Sequence, residues 1–390
     1  MTPPNSPHAL AHSLFCGLLA PFVLLTWLQA APAQAGVLSL SKPPAKASPE
    51  FERIWDYRPA LTTTVYARDG RVLGYLSREN RFLVGLSELP QDLIKAFLAA
   101  EDSSFYEHEG VDLSAIFRAF SRNVTAGGIV QGGSTITQQV VKGLLLTAER
   151  SYARKIKEAI LAYRLEQQMS KNDILIIYLN HIYFGANAYG VEAAARTFFG
   201  THARDLILAQ SAILAGLPKA PSKFNPYSDP AAAKERQTYV LGRMRDLGWI
   251  TPEAHAQALA EPLVYKSMPD PSWTKGAWYM EEVRRWLLEN LSLENAQRHN
   301  VTWDRYGEDM AYGGGLSVYT AVDLDHQIAA ERALRAGLEA SSKRRGWRGP
   351  LQRLTADRFD EFLRSEAPRA EDLVAGGWVK ALVITVRHDH

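Results

Sequence analysis

The sequence predicts a mainly α-helical domain that opens with a small β-hairpin and is followed by a mixed α/β region. Three patterns in the 390 residues carry this. Apolar and polar residues alternate over residues 62–84 around Arg68-Asp69-Gly70, as in a hairpin with a primed turn. From Asp92 to about Met244 apolar residues recur at helical spacing. Farther on, the strand-like run Gly315-Leu316-Ser317-Val318-Tyr319-Thr320-Ala321-Val322-Asp323 leads into a helix over residues 324–338.

At the N-terminus, residues 14–28 are apolar apart from Thr26 and precede Ala33-Gln34-Ala35 and Gly36, the small-x-small pattern of signal-peptidase sites. The segment is short for a membrane span, contains Pro21 and has no Lys or Arg ahead of it. Residues 1–36 are therefore expected to be the signal peptide or membrane anchor of an exported protein. Cys16, the only cysteine, lies in this stretch, which rules out an intrachain disulfide and a cysteine-based metal site. Residues 37–59, rich in Pro, Ser and Ala, read as a linker.

The helical domain is expected over residues 60–247. Leu93, Ile94, Phe97, Leu98 and Ala100 form an apolar face that ends at Glu101. Arg154, Lys155 and Glu158 follow at i, i+1 and i+4, which sets Arg154 and Glu158 on one helix face. Residues 174–183 and 206–217 continue as apolar helices. Pro218, Pro221 and Pro226 mark a turn, and a polar helix over 231–247 closes the domain. Residues 250–315 show mixed patterning. A composition 46% hydrophobic and 22% charged is that of a folded protein, and a formal charge of +2 is too mild to argue for a nucleic-acid partner.

Three blocks carry chemistry: Glu101-Asp102-Ser103-Ser104-Phe105-Tyr106-Glu107-His108-Glu109-Gly110, Gly133-Ser134-Thr135-Ile136-Thr137-Gln138-Gln139-Val140-Val141-Lys142, and Arg154-Lys155-Ile156-Lys157-Glu158. Two carboxylates, small polar donors and a cationic pair can move a sugar from a phosphate leaving group onto a hydroxyl. One carboxylate removes the acceptor proton while the cations hold the departing anion. Plainer readings exist for each. A helix-terminal Glu is most often solvated, Arg154 and Glu158 fit an i,i+4 salt bridge worth ~0.3 to 0.5 kcal/mol, and Ser134 or Thr135 fits a helix N-cap. A cap is compatible with an anion site, because helix N-termini attract phosphate.

With two later blocks, Tyr178-Leu179-Asn180-His181-Ile182-Tyr183-Phe184-Gly185 and Gly216-Leu217-Pro218-Lys219-Ala220-Pro221-Ser222, the chain resembles the family 51 glycosyltransferases over roughly residues 60 to 245. These are the peptidoglycan polymerases that form the N-terminal module of class A penicillin-binding proteins. The resemblance implies a lysozyme-like fold, Glu101 as general base and Glu158 as a second essential carboxylate. It implies substrate binding by Asp102, Phe105, His108, Ser134, Thr135, Gln138, Gln139, Lys142, Arg154 and Lys155, with Asp102 structural or a helper. It also implies lipid II and the nascent glycan strand as substrates. The expected location is the bacterial inner membrane, with the domain on the periplasmic side. Ile116, Phe117, Phe120 and residues 127–130 are expected to touch lipid. Other cell-wall synthesis proteins as partners are left open.

Residues 248–340 are expected to be a linker toward a transpeptidase module, and 341–390 the start of a truncated inserted domain. Ser39 with Lys42, and Ser121-Arg122-Asn123, match acyltransferase elements by chance, and no Lys-Thr-Gly follows. His108, His181 and His202 lack metal-site spacing, so no metal site and no required cofactor are expected. A divalent cation, Mg or Mn, on the diphosphate is left open. Two rivals remain: a glycan-cleaving lytic enzyme, which has no diphosphate to hold, and a truncated non-catalytic scaffold of the cell-wall machinery.

Overall fold

The computed structural model describes residues 38, 40–44, 48–114, 133–146, 151–267, 276–346, 352–365 and 381–383. The N-terminal apolar segment with Cys16, the lipid-contact candidates Ile116, Phe117, Phe120 and 127–130, Ser121-Arg122-Asn123, Gly132 and residues 347–350 lie outside these. The chain divides into a large unit, Met1–Trp273 with Ala277–Val322, and a smaller one, Thr274–Gly276 with Asp323–His390.

In the large unit β1 (Thr63–Tyr66) and β2 (Val72–Leu76) form the expected antiparallel hairpin, with Thr64 opposite Tyr75. The turn is not a primed one. Gly70 N–H bonds Ala67 O at 3.0 Å and Gly70 alone in the turn has positive φ, 84°. A primed turn needs φ above zero at the central residues, whereas here a left-handed Gly follows an ordinary turn. β1 is buried from Thr63 to Val65 and also pairs in parallel with β3 (Ser317–Tyr319), giving the order β2-β1-β3.

Seven helices among the described residues build the body: α1 (Gln91–Glu101), α2 (Ile136–Leu145), α3 (Tyr152–Glu166), α4 (Lys171–His181), α5 (Val191–Phe199), α6 (Leu208–Gly216) and α7 (Pro230–Asp246). α1 packs on α6 and α7, and α2 on α3 and α4. α4 has no polar face: Asp173 through Asn180 are all buried, which marks a helix enclosed on every side. Phe97 meets Tyr178 and Phe184 edge to face, with centroids 6.2 and 5.9 Å away. Such fully buried aromatics each contribute about 1.5–3 kcal/mol.

Asn180 ties the strand region to this core. Its Oδ1 accepts from Val84 N at 3.0 Å, and its Nδ2 donates to Val84 O at 3.0 Å and Ile176 O at 2.9 Å. The segment read as mixed is helical: α8 (Pro252–Ala260), α9 (Ala277–Asn290), α10 (Leu293–Arg298) and α11 (Gly307–Gly313) return the chain to β3. The large unit thus extends well beyond residue 247. In the small unit α12 (Leu324–Arg344) starts at Asp323, whose Oδ1 accepts from Asp325 N and His326 N at 3.0 and 3.1 Å. A short α13 (Phe359–Ser365) follows. No helix among the described residues is long and apolar enough to cross a membrane.

Candidate active site

Glu101 is the last residue of α1, and Leu93, Ala96 and Phe97 hold that helix in the core. The helix stops because Asp102 turns extended, with φ −158° and ψ 76°. The adjacent carboxylates therefore point to different partners. Glu101 Oε2 accepts from Gln139 Nε2 at 2.9 Å. Asp102 is buried, its Oδ2 accepting from Ile136 N at 3.0 Å and lying 3.0 Å from His108 Nε2.

Part of Glu101 stays accessible, but its carboxyl is enclosed by protein. Burial raises its pKa above the usual carboxylate range; the Gln139 hydrogen bond and the charges of Arg236 and Lys219 pull it back, and Asp102 adds to the rise.

The first turn of α2 links this carboxylate to the second one. Thr135 and Gln138 form a capping box: Thr135 Oγ1 accepts from Gln138 N at 3.1 Å and Gln138 Oε1 from Thr135 N at 3.0 Å. Thr135 Oγ1 also donates to Gly110 O at 2.6 Å. Gly110 has φ 81°, and a Cβ there would lie 2.5 Å from the backbone of Ala162 and Tyr163 on α3, so only glycine fits. Next to the cap, Ser134 Oγ accepts from Lys155 Nζ at 2.8 Å.

Lys155 also pairs with the buried carboxylate of Glu158. The expected Arg154–Glu158 pair is thus replaced by an i,i+3 pair, because Lys155 reaches both Glu158 and Ser134. Arg154 begins the helix on the Ser151 cap, its N–H bonding Ser151 Oγ at 3.1 Å, and its Nε is buried without a hydrogen-bond partner among the described residues. Lys142 is exposed one turn beyond Gln139 on α2.

Around the first turn of α2 the structure brings together Glu101, Gln139, Ser134, Lys155 and Glu158, with Arg154 and Lys142 at the flanks. Asp102, Phe105, His108, Thr135 and Gln138 have buried side chains beneath these. Their contacts are already taken. Phe105 is fully buried, with Lys171 Nζ 4.6 Å above its ring. His108 lies between Asp102 and Glu166, and Lys171 Nζ meets Glu166 Oε2 at 2.7 Å while Thr137 Oγ1 donates to the same carboxylate.

Two cations near Glu101 had no role in the sequence reading. Lys219 stands in the quoted Gly216-Leu217-Pro218-Lys219 block, which was its signal. Arg236 had none, being one cation in a polar helix; it is buried, its Nε donating to Gly216 O at 3.3 Å beneath that turn. Among the described residues no cluster of His, Cys, Asp or Glu is suited to a metal ion.

Residues 69–245 match a family model described as Transglycosylase. Penicillin-binding protein 1A of Aquifex aeolicus (strain VF5) is 41% identical over 308 residues, covering 79% of this chain and 40% of that protein. Penicillin-binding protein 1A of Neisseria flavescens is 42% identical over 301 residues, 77% of this chain and 36% of that protein. A crystal structure of penicillin-binding protein 1A from Haemophilus influenzae is 28% identical, covering 79% of this chain and 35% of that chain at a TM-score of 0.40. The chain thus spans 36–40% of these curated relatives. The Glu101, Gln139 and Glu158 blocks all lie inside the matched region, which makes residues 69–245 a domain of the transglycosylase family.

Proposed function

We propose that this chain is an inverting peptidoglycan glycosyltransferase that polymerises lipid II into glycan strands. The observation that carries it is Glu101: a carboxyl whose pKa burial raises, fixed by Gln139 and joined through one helical turn to the Lys155–Glu158 pair. Glu101 takes the proton of the GlcNAc 4-hydroxyl of lipid II as that oxygen bonds to the MurNAc anomeric carbon of the growing chain. The bond from that carbon to the phosphate oxygen breaks, and undecaprenyl diphosphate leaves with the electron pair.

Lys155, Arg154 and Lys142 hold the developing negative charge. The buried Arg154 Nε, without a hydrogen-bond partner among the described residues, supports this, since an unsatisfied buried donor costs about 1–3 kcal/mol unless a ligand meets it. A glycan-cleaving enzyme has a sugar leaving group and no use for these cations. The enzyme works at the outer face of the inner membrane. Ile156, Ile160 and Tyr163, on the same helix as the cationic pair, are 62%, 52% and 49% exposed at helical spacing, which suits a lipid-linked donor.

Incubating the chain with labelled lipid II and resolving products by size tests this directly. Long glycan strands are expected. Shortened pre-formed strands would establish the cleaving alternative, and untouched lipid II the scaffold.

A further inference from the structure

The Tyr178-Leu179-Asn180-His181-Ile182-Tyr183-Phe184-Gly185 block has no part in the transfer chemistry, yet the turn that follows it forms the wall of a second cleft. Gly185, Ala186 and Asn187 occupy left-handed backbone in succession, with φ 88°, 48° and 58°. For Ala186 that conformation is strained, and strain of this kind is retained where the backbone must be aimed. Ala186 and Asn187 border a 740 Å³ cleft against β2 and the start of α9. The volume is that of a small-ligand site. None of Glu101, Gln139, Lys155 or Glu158 lines it.

The lining alternates flat apolar faces with planar polar groups. Tyr75, Phe82, Trp278 and Tyr312 supply rings, and Asn80 and Asn187 supply amides. Trp278 is 76% exposed, a large indole presented to water. The charged side chains among the described lining residues are paired within the protein. Arg284 makes two 2.7 Å bonds to Glu281, and Arg196 pairs with Glu192 at 2.7 Å while its guanidinium stacks 3.9 Å from the Phe82 ring centroid. Among the described lining residues a phosphate or an acidic peptide would find no uncommitted cation. A neutral, amphipathic ligand fits instead: one with apolar ring faces to lie on aromatics and hydroxyl and amide edges to meet Asn, Arg and Glu.

We propose that this cleft binds uncharged N-acetylhexosamine units of a glycan strand at a site separate from the catalytic one. This rests on the glycosyltransferase reading, in which the product is such a strand. Holding the strand at a second point raises its effective concentration at the catalytic cleft between additions. The cleft would thereby set product length without entering the chemical step.

The test uses the full chain and a β-1,4-linked N-acetylglucosamine tetramer, with a maltose-series tetramer as control. Binding is followed by tryptophan fluorescence and by calorimetry in wild type, Trp278→Ala, Asn187→Gly and Glu101→Gln. Trp278 is exposed and glycine accepts the left-handed backbone, so both cleft variants should fold. The tetramer should bind wild type and Glu101→Gln alike and the control not at all. Trp278→Ala should weaken binding about tenfold, the scale of one lost aromatic face. With lipid II, Trp278→Ala and Asn187→Gly should make shorter strands at an unchanged initial rate. Tetramer binding that survives both cleft substitutions, or that is absent while lipid II is polymerised normally, overturns the site. Failure to polymerise lipid II with tetramer binding intact overturns the catalytic reading and leaves a saccharide-binding module.

Discussion

Glu101→Gln should separate catalysis from stability, moving them in opposite directions. Glutamine is nearly isosteric, and its side-chain oxygen can still accept from Gln139 Nε2, now 2.9 Å from the carboxylate. What it cannot do is take a proton. A general base contributes about 10² to 10⁴ in rate, equivalent to roughly 2.7 to 5.4 kcal/mol of barrier.

Stability follows from the direction of the pKa shift. Burial raises the Glu101 pKa in the fold, so the folded state binds this proton more tightly than the unfolded chain does. That contribution is present below the unfolded pKa and is lost as pH rises through the folded one. Above the folded pKa the wild type holds an enclosed carboxylate and the variant a neutral amide. Thermal melts of both proteins from pH 4 to 8, beside lipid II turnover at pH 8, measure both effects. The variant should melt higher than wild type at pH 8, the gap closing toward acid, with turnover down at least a hundredfold, the lower end of the general-base range. More than about a tenth of the turnover remaining would refute the base role. A variant that melts lower at pH 8 would refute the enclosure of the carboxyl.

Arg154→Ala should lower kcat and kcat/KM together, and more than Arg154→Lys, because lysine keeps the charge and loses the bidentate fork; steady-state kinetics with unchanged constants would return Arg154 to surface decoration. Asp102→Asn retains an acceptor for Ile136 N but removes a charge that raises the Glu101 pKa, so the acid limb of the pH profile of kcat/KM should move to lower pH. A limb that stays put or moves upward contradicts the coupling. Gly110→Ala places a Cβ 2.5 Å from the α3 backbone and forces a side chain into left-handed geometry, and should destabilise by about 3 kcal/mol or more. Denaturant unfolding with an unchanged midpoint would show that the close approach is not there.

The sequence made Glu101 legible because an apolar helical face ends at it, and the hairpin because alternation flanks a Gly-containing turn. Other features depend on contacts no local pattern encodes. β3 pairs with β1 across 253 residues, so its strand-like run gave no partner and the helices before it no place. α4 is enclosed all round and carries no amphipathic signature beyond its apolar content. Whether Lys155 or Arg154 meets Glu158 turned on Ser134, which draws the lysine across from another helix. Arg236 acts on Glu101 from a helix 135 positions away in the chain (236 − 101), where it reads as any other surface-helix cation.

In the proposed reaction the divergence of Glu101 and Asp102 also decides how a phosphate is held. A helix N-terminus would ordinarily offer its free N–H groups and dipole to an anion. On α2 that position is filled by the protein's own carboxylate, with Asp102 on Ile136 N and the Thr135 hydroxyl on Gln138 N. The anion that orders this turn is therefore internal, and it aligns Gln139 on Glu101 before any substrate arrives. In the proposed reaction the charge of a departing diphosphate then falls to side chains: Lys155 on Ser134, Arg154 with its buried Nε, and exposed Lys142. Side-chain cations can follow a leaving group as it moves away, whereas backbone N–H groups fixed in a helix cannot. In the proposed reaction, where undecaprenyl diphosphate leaves after every addition, the work is divided between an inner carboxylate that aligns Gln139 and outer side-chain cations that face the leaving group.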